Sequence, residues 1–345
     1  MKNRQWRLRR EPKAQLSAAD FELVEHEIDA DPKLESGQIF VKNQIFLCAP
    51  AIRGWMSSSR PSHVPGINPG DPIISLGGGK VVKSANPKFP VGASAYYVGH
   101  WADYQVIDPA FTDARVIEAP LSLFEGVGIY TINMMTAYAG LIYVGEPQEG
   151  ETLVVSGAAG SVGSAALQIG RIRKMRTIGI AGGKEKCDWV LNECGADAVI
   201  DYKHEDVAAR LAELCPNRID VFFDNVGGEI LQAAVDNIAK FGRIVLCGQI
   251  GSYDERGPAP GPRDMMQIIY GSVKMQGFIV TDHPERYPAM LADLKKWVDS
   301  GLIRHREDVR RGFENLPTIY AALFHGENKG TLLAVVDNEA LAKPR

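Results

Sequence analysis

The sequence predicts an α/β protein: a doubly wound parallel sheet joined to a second, β-rich domain. Three observations predict it. From about residue 128 onward, short apolar strands alternate with helical segments of about a dozen residues, the texture of a parallel sheet with helices on both faces. One of those strands, residues 152–156, runs into a turn of small residues, Gly157-Ala158-Ala159-Gly160-Ser161-Val162-Gly163, and then into a helix. Before about residue 125 the pattern differs: strand candidates are separated by proline and glycine, with little helical spacing.

Bulk properties narrow the classes. A chain of 345 residues is too long for one ordinary core. With 45% hydrophobic and 23% charged residues it has the composition of a soluble globular protein. A net charge of −4 gives no electrostatic case for nucleic acid. The five cysteines, at 48, 187, 194, 215 and 247, form no C-x-x-C pair. Neither a zinc ribbon nor a disulfide framework is expected, and a reducing, cytoplasmic setting is. Residues 1–10 are basic with no apolar run behind them, so they do not read as a secretory signal. The uncharged stretch Gly126 to Gly145 is long enough to span a bilayer. It carries Thr131, Asn133, Thr136 and four glycines and lacks anchoring residues at its ends. A buried helix with flanking turns is expected there, and no membrane contact.

In order, strands are expected at 38–45, 79–84 and 102–107, with Pro61, Pro65, Pro69-Gly70, Pro72 and Gly77-Gly78-Gly79 breaking the region between into short pieces. The parallel sheet should use 152–156, 177–181, 198–201, 220–224, 243–247 and 275–280. A helix near 289–300 follows. The tail adds one helix and a last strand, 331–336, which should return to the first domain because the open sheet already has its strands.

The glycine turn carries the first chemistry. Gly160 lets the backbone approach a pyrophosphate, Gly163 lets the helix pack on the strand, and the helix start offers N–H groups and a positive dipole end. This is the local geometry of a Rossmann dinucleotide site, with Ala158 in place of its first glycine. About twenty residues on, where an NAD site places an acid on the ribose, stand Gly182-Gly183 with Lys184 and Lys186. Room plus positive charge suits a 2′-phosphate and favours NADP(H); a solvated helix start is the plainer alternative. Asn225, in Asp224-Asn225-Val226-Gly227-Gly228, follows the fourth sheet strand, and could bond a ribose or nicotinamide or cap a turn. Tyr253 and Tyr270 flank a proline-rich loop, 257–262; each is a phenol able to polarise a carbonyl or a ring that simply packs. The seven histidines are scattered without metal-ligand spacing, so no metal is expected. No G-x-S-x-G elbow is present, which weakens a hydrolase reading.

Several motifs in this order make the chain resemble the zinc-independent branch of the medium-chain dehydrogenase/reductase superfamily, which holds prostaglandin and leukotriene reductases, plant double-bond reductases and bacterial curcumin reductase. They are Gly150-Glu151-Thr152-Leu153-Val154-Val155, the 158–163 turn, Glu185-Lys186-Cys187, Ile200-Asp201-Tyr202-Lys203, the 224–228 turn, the 257–262 loop and Gln276-Gly277-Phe278-Ile279-Val280. The resemblance implies a β-rich, GroES-like catalytic domain, 1–127 plus 299–345, around an NADPH-binding domain, 128–298. It implies hydride transfer to the C=C bond of an α,β-unsaturated ketone or aldehyde, and a homodimer. By position, Ala159, Gly160, Ser161, Val162 and Gly163 would hold the cofactor's diphosphate. Gly182, Lys186 and Tyr202 would meet the 2′-phosphate, with Asn225 and Asn328 toward the nicotinamide. Tyr270, with Tyr253 second, would face the substrate oxygen. Ala51, Arg53, Trp101, Met134 and Met135 would line the substrate pocket. The chain departs from the family at Ala49-Pro50-Ala51-Ile52-Arg53, where Asp-Pro-Tyr-Met-Arg is usual, and at Ile132-Asn133-Met134, where Met-Pro-Gly is usual. Near Asn328, the usual Gly-Lys is Gly330-Thr331. Two other readings compete with double-bond reduction: a carbonyl, alcohol or quinone oxidoreductase on the same scaffold, and an NADPH-binding protein without turnover.

Overall fold

A computed structural model describes residues 1–13, 15–58, 64–253 and 261–342. The chain divides into two units, Met1–Ile129 with Glu307–Arg345, and Tyr130–Arg306.

The second unit is built on six parallel strands: β1 (Thr152–Ser156), β2 (Arg176–Ala181), β3 (Ala198–Asp201), β4 (Ile219–Asp224), β5 (Ile238–Leu246) and β6 (Lys274–Gly277). Their spatial order is β3-β2-β1-β4-β5-β6. This is the order made by two βαβαβ halves, and it reverses between β1 and β4, where such sheets bind ligands beyond their carboxyl ends. The inner strands β1, β2 and β4 are apolar along their middles because both faces are covered, whereas the edge strand β6 reads Lys-Met-Gln-Gly and is largely exposed. On one face Val154, Ile178, Ile200, Phe222 and Ile244, one from each of five strands, pack with Leu211, Leu231, Ala234 and Val235. On another side of the core, the helix Ser161–Ile172 lies so close to β1 that a Cβ at Gly170 would come within 2.5 Å of Leu153 Cδ2.

Three expectations change here. The last strand stops at Gly277 rather than Val280, and the chain enters a short turn, Val280–Asp282. Phe278 leaves the sheet because its ring packs onto Gly140, where a Cβ would lie 2.6 Å from Cζ. Residues 126–145 form two short helices, Leu123–Gly128 and Ile132–Tyr138, and a π-helical turn, Ala139–Gly145. Among the described residues no helix is long and apolar enough to cross a membrane. The unit boundary falls at 306/307 rather than 298/299. After the helix Tyr287–Asp299 the chain stays bound to the second unit: the Gln168 amide donates to the Arg304 carbonyl at 2.8 Å and accepts from its N–H at 2.7 Å.

The first unit holds a seven-stranded sheet and a two-stranded ribbon, Lys2–Leu8 against Phe21–Glu27. Its central strand, Ile39–Leu47, pairs along one side with Ile74–Ser84. Its other side is shared between Tyr104–Ile107 and the tail strand Thr331–Val335. Gly77-Gly78-Gly79 does not break this region, as its composition suggests, but lies inside the eleven-residue strand Ile74–Ser84. Close approach requires the glycines: a Cβ at Gly79 would sit 1.9 Å from the Lys42 carbonyl oxygen, beside a register shift between Asn43 and Ile45.

Candidate active site

At the end of β1 the chain turns on Gly157, whose φ of +60° is the left-handed region that favours glycine. The Gly160 N–H donates back to the Gly157 carbonyl at 3.0 Å. Gly160 then caps the helix Ser161–Ile172 with no side chain to occupy the first N–H groups. A Cβ at Gly163 would lie 2.3 Å from the Gly157 oxygen, so only glycine lets the helix start this close to the turn. Ala158 stands where a first glycine is usual because the neighbouring strand made the room: Gly179 on β2 faces it, and a Cβ there would be 3.0 Å from the Ala158 Cβ. Ala159 is buried beside it, and Ser161 and Val162 are half-buried.

Across the sheet's switch point, β4 ends on Asp224, which sequence reading treated only as part of a turn. Its buried carboxylate accepts from Ser156 Oγ at 2.7 Å and from the N–H groups of Val226 and Gly227 at 3.1 Å. Burial raises the Asp224 carboxyl above its ordinary value, against the opposing pull of those donors. Asn225 is held the same way: its N–H donates to Ser156 Oγ at 2.8 Å and its Nδ2 to the Ser156 carbonyl at 2.7 Å. Ser156 and Asp224 therefore lock the β1 and β4 ends together and fix Asn225 beside Gly157. Tyr253 closes the same corner. It follows the turn Ile250–Ser252, and its hydroxyl would be 3.7 Å from a Cβ at Gly248, just past the carboxyl end of β5. Gly248 itself donates to the Asp224 carbonyl at 3.1 Å.

A second cluster lies past β2 and β3. Tyr202 lays its ring against Gly182, where a Cβ would meet Cε1 at 2.6 Å, and Lys186 stands half-buried on the helix Lys184–Asp188. An acid does reach this corner, from β3 rather than from the end of β2. Asp201 accepts from the N–H groups of Gly183 at 2.8 Å and Lys203 at 3.1 Å, and its other oxygen meets His204 Nδ1 at 2.8 Å. Burial works to raise the Asp201 carboxyl, but these partners together hold it below its ordinary value.

Other expected residues are placed differently. Tyr270 lies 75% exposed on the helix Met266–Gly271. The adjoining Gly271 packs at Ala239, where a Cβ would be 3.6 Å from the carbonyl oxygen, at the amino end of β5. Measured along the neighbouring strand β4, whose Ile219 pairs with Ile238 and Asp224 with Leu246, about five residue steps, roughly 17 Å at ~3.3 Å each, separate that end from the site. A crossover between parallel strands must return the chain to the amino end, which is why the second tyrosine of the pair is carried away from the first. Tyr270 is therefore not brought to the Tyr253 corner within this chain, contrary to its expected place at the substrate. Residues 254–260, most of the proline-rich loop, lie outside the described residues.

Met134 and Met135 are buried in the second unit's core, and Trp101 in the first unit's, between Phe21 and Tyr320. Arg53 is also buried, with Nη2 donating to the Pro12 carbonyl at 3.1 Å. All four side chains are buried within their own units. Ala51 alone of the five is exposed, on the short helix Ala51–Trp55. Asn328 lies in the first unit, its Nδ2 donating to the Gly330 carbonyl at 2.9 Å. Among the described residues no group of three or more His, Cys, Asp or Glu could hold a metal ion.

Residues 4–114 match the family model described as the N-terminal domain of oxidoreductase, and residues 161–296 match the one described as zinc-binding dehydrogenase. The chain is 35% identical over 305 residues to the 2-alkenal reductase (NADP(+)-dependent) of Nicotiana tabacum, covering 88% of this chain and 89% of that one. The chain belongs to the zinc-independent branch of the medium-chain dehydrogenase/reductase superfamily. Within this superfamily it is 32% identical to the NADPH-dependent curcumin reductase of Escherichia coli (strain K12), over 96% of each chain. Among solved structures of the superfamily it superposes on CurA from Vibrio vulnificus in complex with NADPH with a TM-score of 0.90, at 33% identity, covering 97% of this chain and 99% of that one.

Proposed function

We propose that this protein is an NADPH-dependent reductase of the C=C bond of α,β-unsaturated ketones or aldehydes. The observation that carries the reading is the corner at the switch point: a cofactor-type glycine turn, a fixed Asn225 and the Tyr253 hydroxyl converge past the carboxyl ends of β1, β4 and β5. Relatives named as 2-alkenal and curcumin reductases support it.

The residues fit NADPH. The glycine at 163, where a Cβ would strike backbone, and the helix start without a side-chain cap suit a diphosphate held by Ala159, Gly160, Ser161, Val162 and Gly163. Gly182, Lys186 and Tyr202 would hold the 2′-phosphate, and Asn225 the nicotinamide end. When bound, NADPH supplies the hydride delivered to the substrate's β-carbon. Negative charge then grows on the substrate carbonyl oxygen, and the Tyr253 hydroxyl donates a hydrogen bond to it. The α-carbon takes its proton from that hydroxyl or from water.

Losing one donor of this kind costs about 2.7–4 kcal/mol, roughly 100- to 1000-fold in rate. Tyr253→Phe should therefore depress kcat with NADPH binding intact, while Tyr270→Phe leaves it unchanged. Reaction of a simple enone with NADPH carrying deuterium at the transferred position is the deciding test. Deuterium on the β-carbon of a saturated ketone supports the proposal. Deuterium on the carbonyl carbon of an allylic alcohol would shift the assignment to carbonyl reduction, and no product from enones, aldehydes or quinones would favour cofactor binding without turnover.

A further inference from the structure

The segment that departs from the family pattern, Ile132-Asn133-Met134, brings a polar side chain to the cofactor turn. Asn133 lies in the first turn of the helix Ile132–Tyr138, and its Nδ2 donates to Ser161 Oγ at 3.2 Å. Ser161 is the first residue of the helix whose cap, Gly160, supplies no side chain to its N–H groups. Both side chains are half-buried. An amide nitrogen carries two hydrogens, and only one is spent on Ser161. Asn133 Oδ1 and the second hydrogen have no protein partner among the described residues. At the N-cap of the helix Ile132–Tyr138, the Thr131 hydroxyl is buried without a hydrogen-bond partner. Buried polar groups are normally paired, so an unpaired one calls for an explanation.

A hydrophobic or proline side chain at 133 would serve packing alone. An amide tethered to Ser161, beside backbone N–H groups that have no side-chain cap, instead extends the donor set at the mouth of the turn. We infer that Asn133 is a cofactor-binding residue, a side-chain donor to the diphosphate of the dinucleotide, with Ser161 Oγ holding its amide in place. The inference rests on the nucleotide reading of this turn and adds to it a residue outside the glycine motif. A diphosphate is shared by NADPH and NADH, so Asn133 strengthens both equally, unlike Lys186, which meets a group only NADPH carries.

The test is titration of NADPH, NADH and 2′-phospho-ADP-ribose into wild-type protein and the variants Asn133→Ala, Asn133→Asp, Ser161→Ala and Lys186→Ala. Thermal unfolding of each variant controls for folding. Asn133→Ala should weaken all three ligands by the same factor, roughly tenfold for one hydrogen bond to an anion. Asn133→Asp sets a carboxylate against the diphosphate and should weaken them further, with a loss that shrinks as salt is raised. Ser161→Ala should weaken them by less than Asn133→Ala, because it releases the amide without removing it. An unchanged affinity for all three ligands in folded Asn133→Ala overturns the inference. So does a loss confined to NADPH and NADH with 2′-phospho-ADP-ribose unaffected, which would move the contact to the nicotinamide. Failure of the wild type to bind NADPH would instead bring down the nucleotide reading itself, and this inference with it.

Discussion

Lys186 and Asp201 bring opposite charges to the corner past β2 and β3, and on the function proposed above the balance between them would decide which dinucleotide the site prefers. A carboxylate with free oxygens would bond a ribose hydroxyl and repel a 2′-phosphate. Asp201 has its oxygens engaged by Gly183, Lys203 and His204, so its charge is turned toward the protein. Lys186 and the Tyr202 phenol, whose ring lies against Gly182, would then set the preference under the proposed function. A charge-assisted bond to phosphate contributes about 1.5–3 kcal/mol. Lys186→Ala should thus weaken NADPH by roughly 10- to 150-fold and leave NADH nearly unchanged, as read by calorimetry with each cofactor. Equal affinities of the unmutated protein for both would refute this. The missing acid at 182–183 was legible in the sequence; the acid arriving from β3 was not. Adjacent strands meet in space, and no local pattern near Gly182 reports what the end of the next strand contributes. Ser156 and Asp224 were hidden in the same way, as buried groups whose partners lie 68 residues apart in the chain.

At the scale of elements, close approach is what the glycine turn provides. The Gly163 position has no room for a Cβ: the nearest neighbours are the backbone atoms Gly157 O at 2.3 Å and Ala158 Cα at 2.9 Å. Backbone cannot rotate aside as a long side chain can. Gly163→Ala must push the helix off β1 or open the turn, and overpacking of this kind typically costs about 1–3 kcal/mol. The variant should unfold at a lower temperature and, if the helix start carries the diphosphate donors as proposed, bind NADPH at least tenfold more weakly. Wild-type affinity in Gly163→Ala would mean that the helix start does not hold the cofactor. The turn and the strand limits 152–156 and 198–201 were readable from sequence because a buried parallel strand is a continuous apolar run. The glycines at 77–79 misled for the opposite reason: glycine usually marks a break, and only the crossing backbone of Lys42 shows that here it marks contact. Tyr270 is expected beside the substrate from the family resemblance and from its place flanking the proline-rich loop, and neither reports which end of a parallel sheet a crossover reaches.

For the molecule as a whole, two expectations concern what it needs and what it pairs with. Turnover should proceed unchanged after treatment with a strong chelator; stoichiometric zinc with activity lost on its removal would contradict that. The second expectation is a homodimer, and it turns on the two edges of the parallel sheet. The β3 edge is four residues long and leads into Asp201, Lys203 and His204, charged groups that discourage pairing. Among the described residues the β6 edge pairs only with β5, so its outer N–H and C=O groups face away from the sheet. Apolar side chains gather beside it. Ile269 and Tyr270 are 64% and 75% exposed on the preceding helix, and Phe241 is 64% exposed on the β5 segment that this helix packs against. An open strand next to exposed apolar surface is a liability that a two-fold partner removes, since an antiparallel pair of β6 strands would join two sheets and bury both patches. In such a dimer Tyr270 would have a use that does not involve the substrate. The protein should therefore run at twice its 37.7 kDa chain mass at micromolar concentration. Ile269→Glu should shift it toward the monomer without abolishing NADPH binding, because the glycine turn lies at the other end of the strands. A strictly monomeric wild type in sedimentation would rule the dimer out, and a dimer indifferent to Ile269→Glu would place the interface elsewhere.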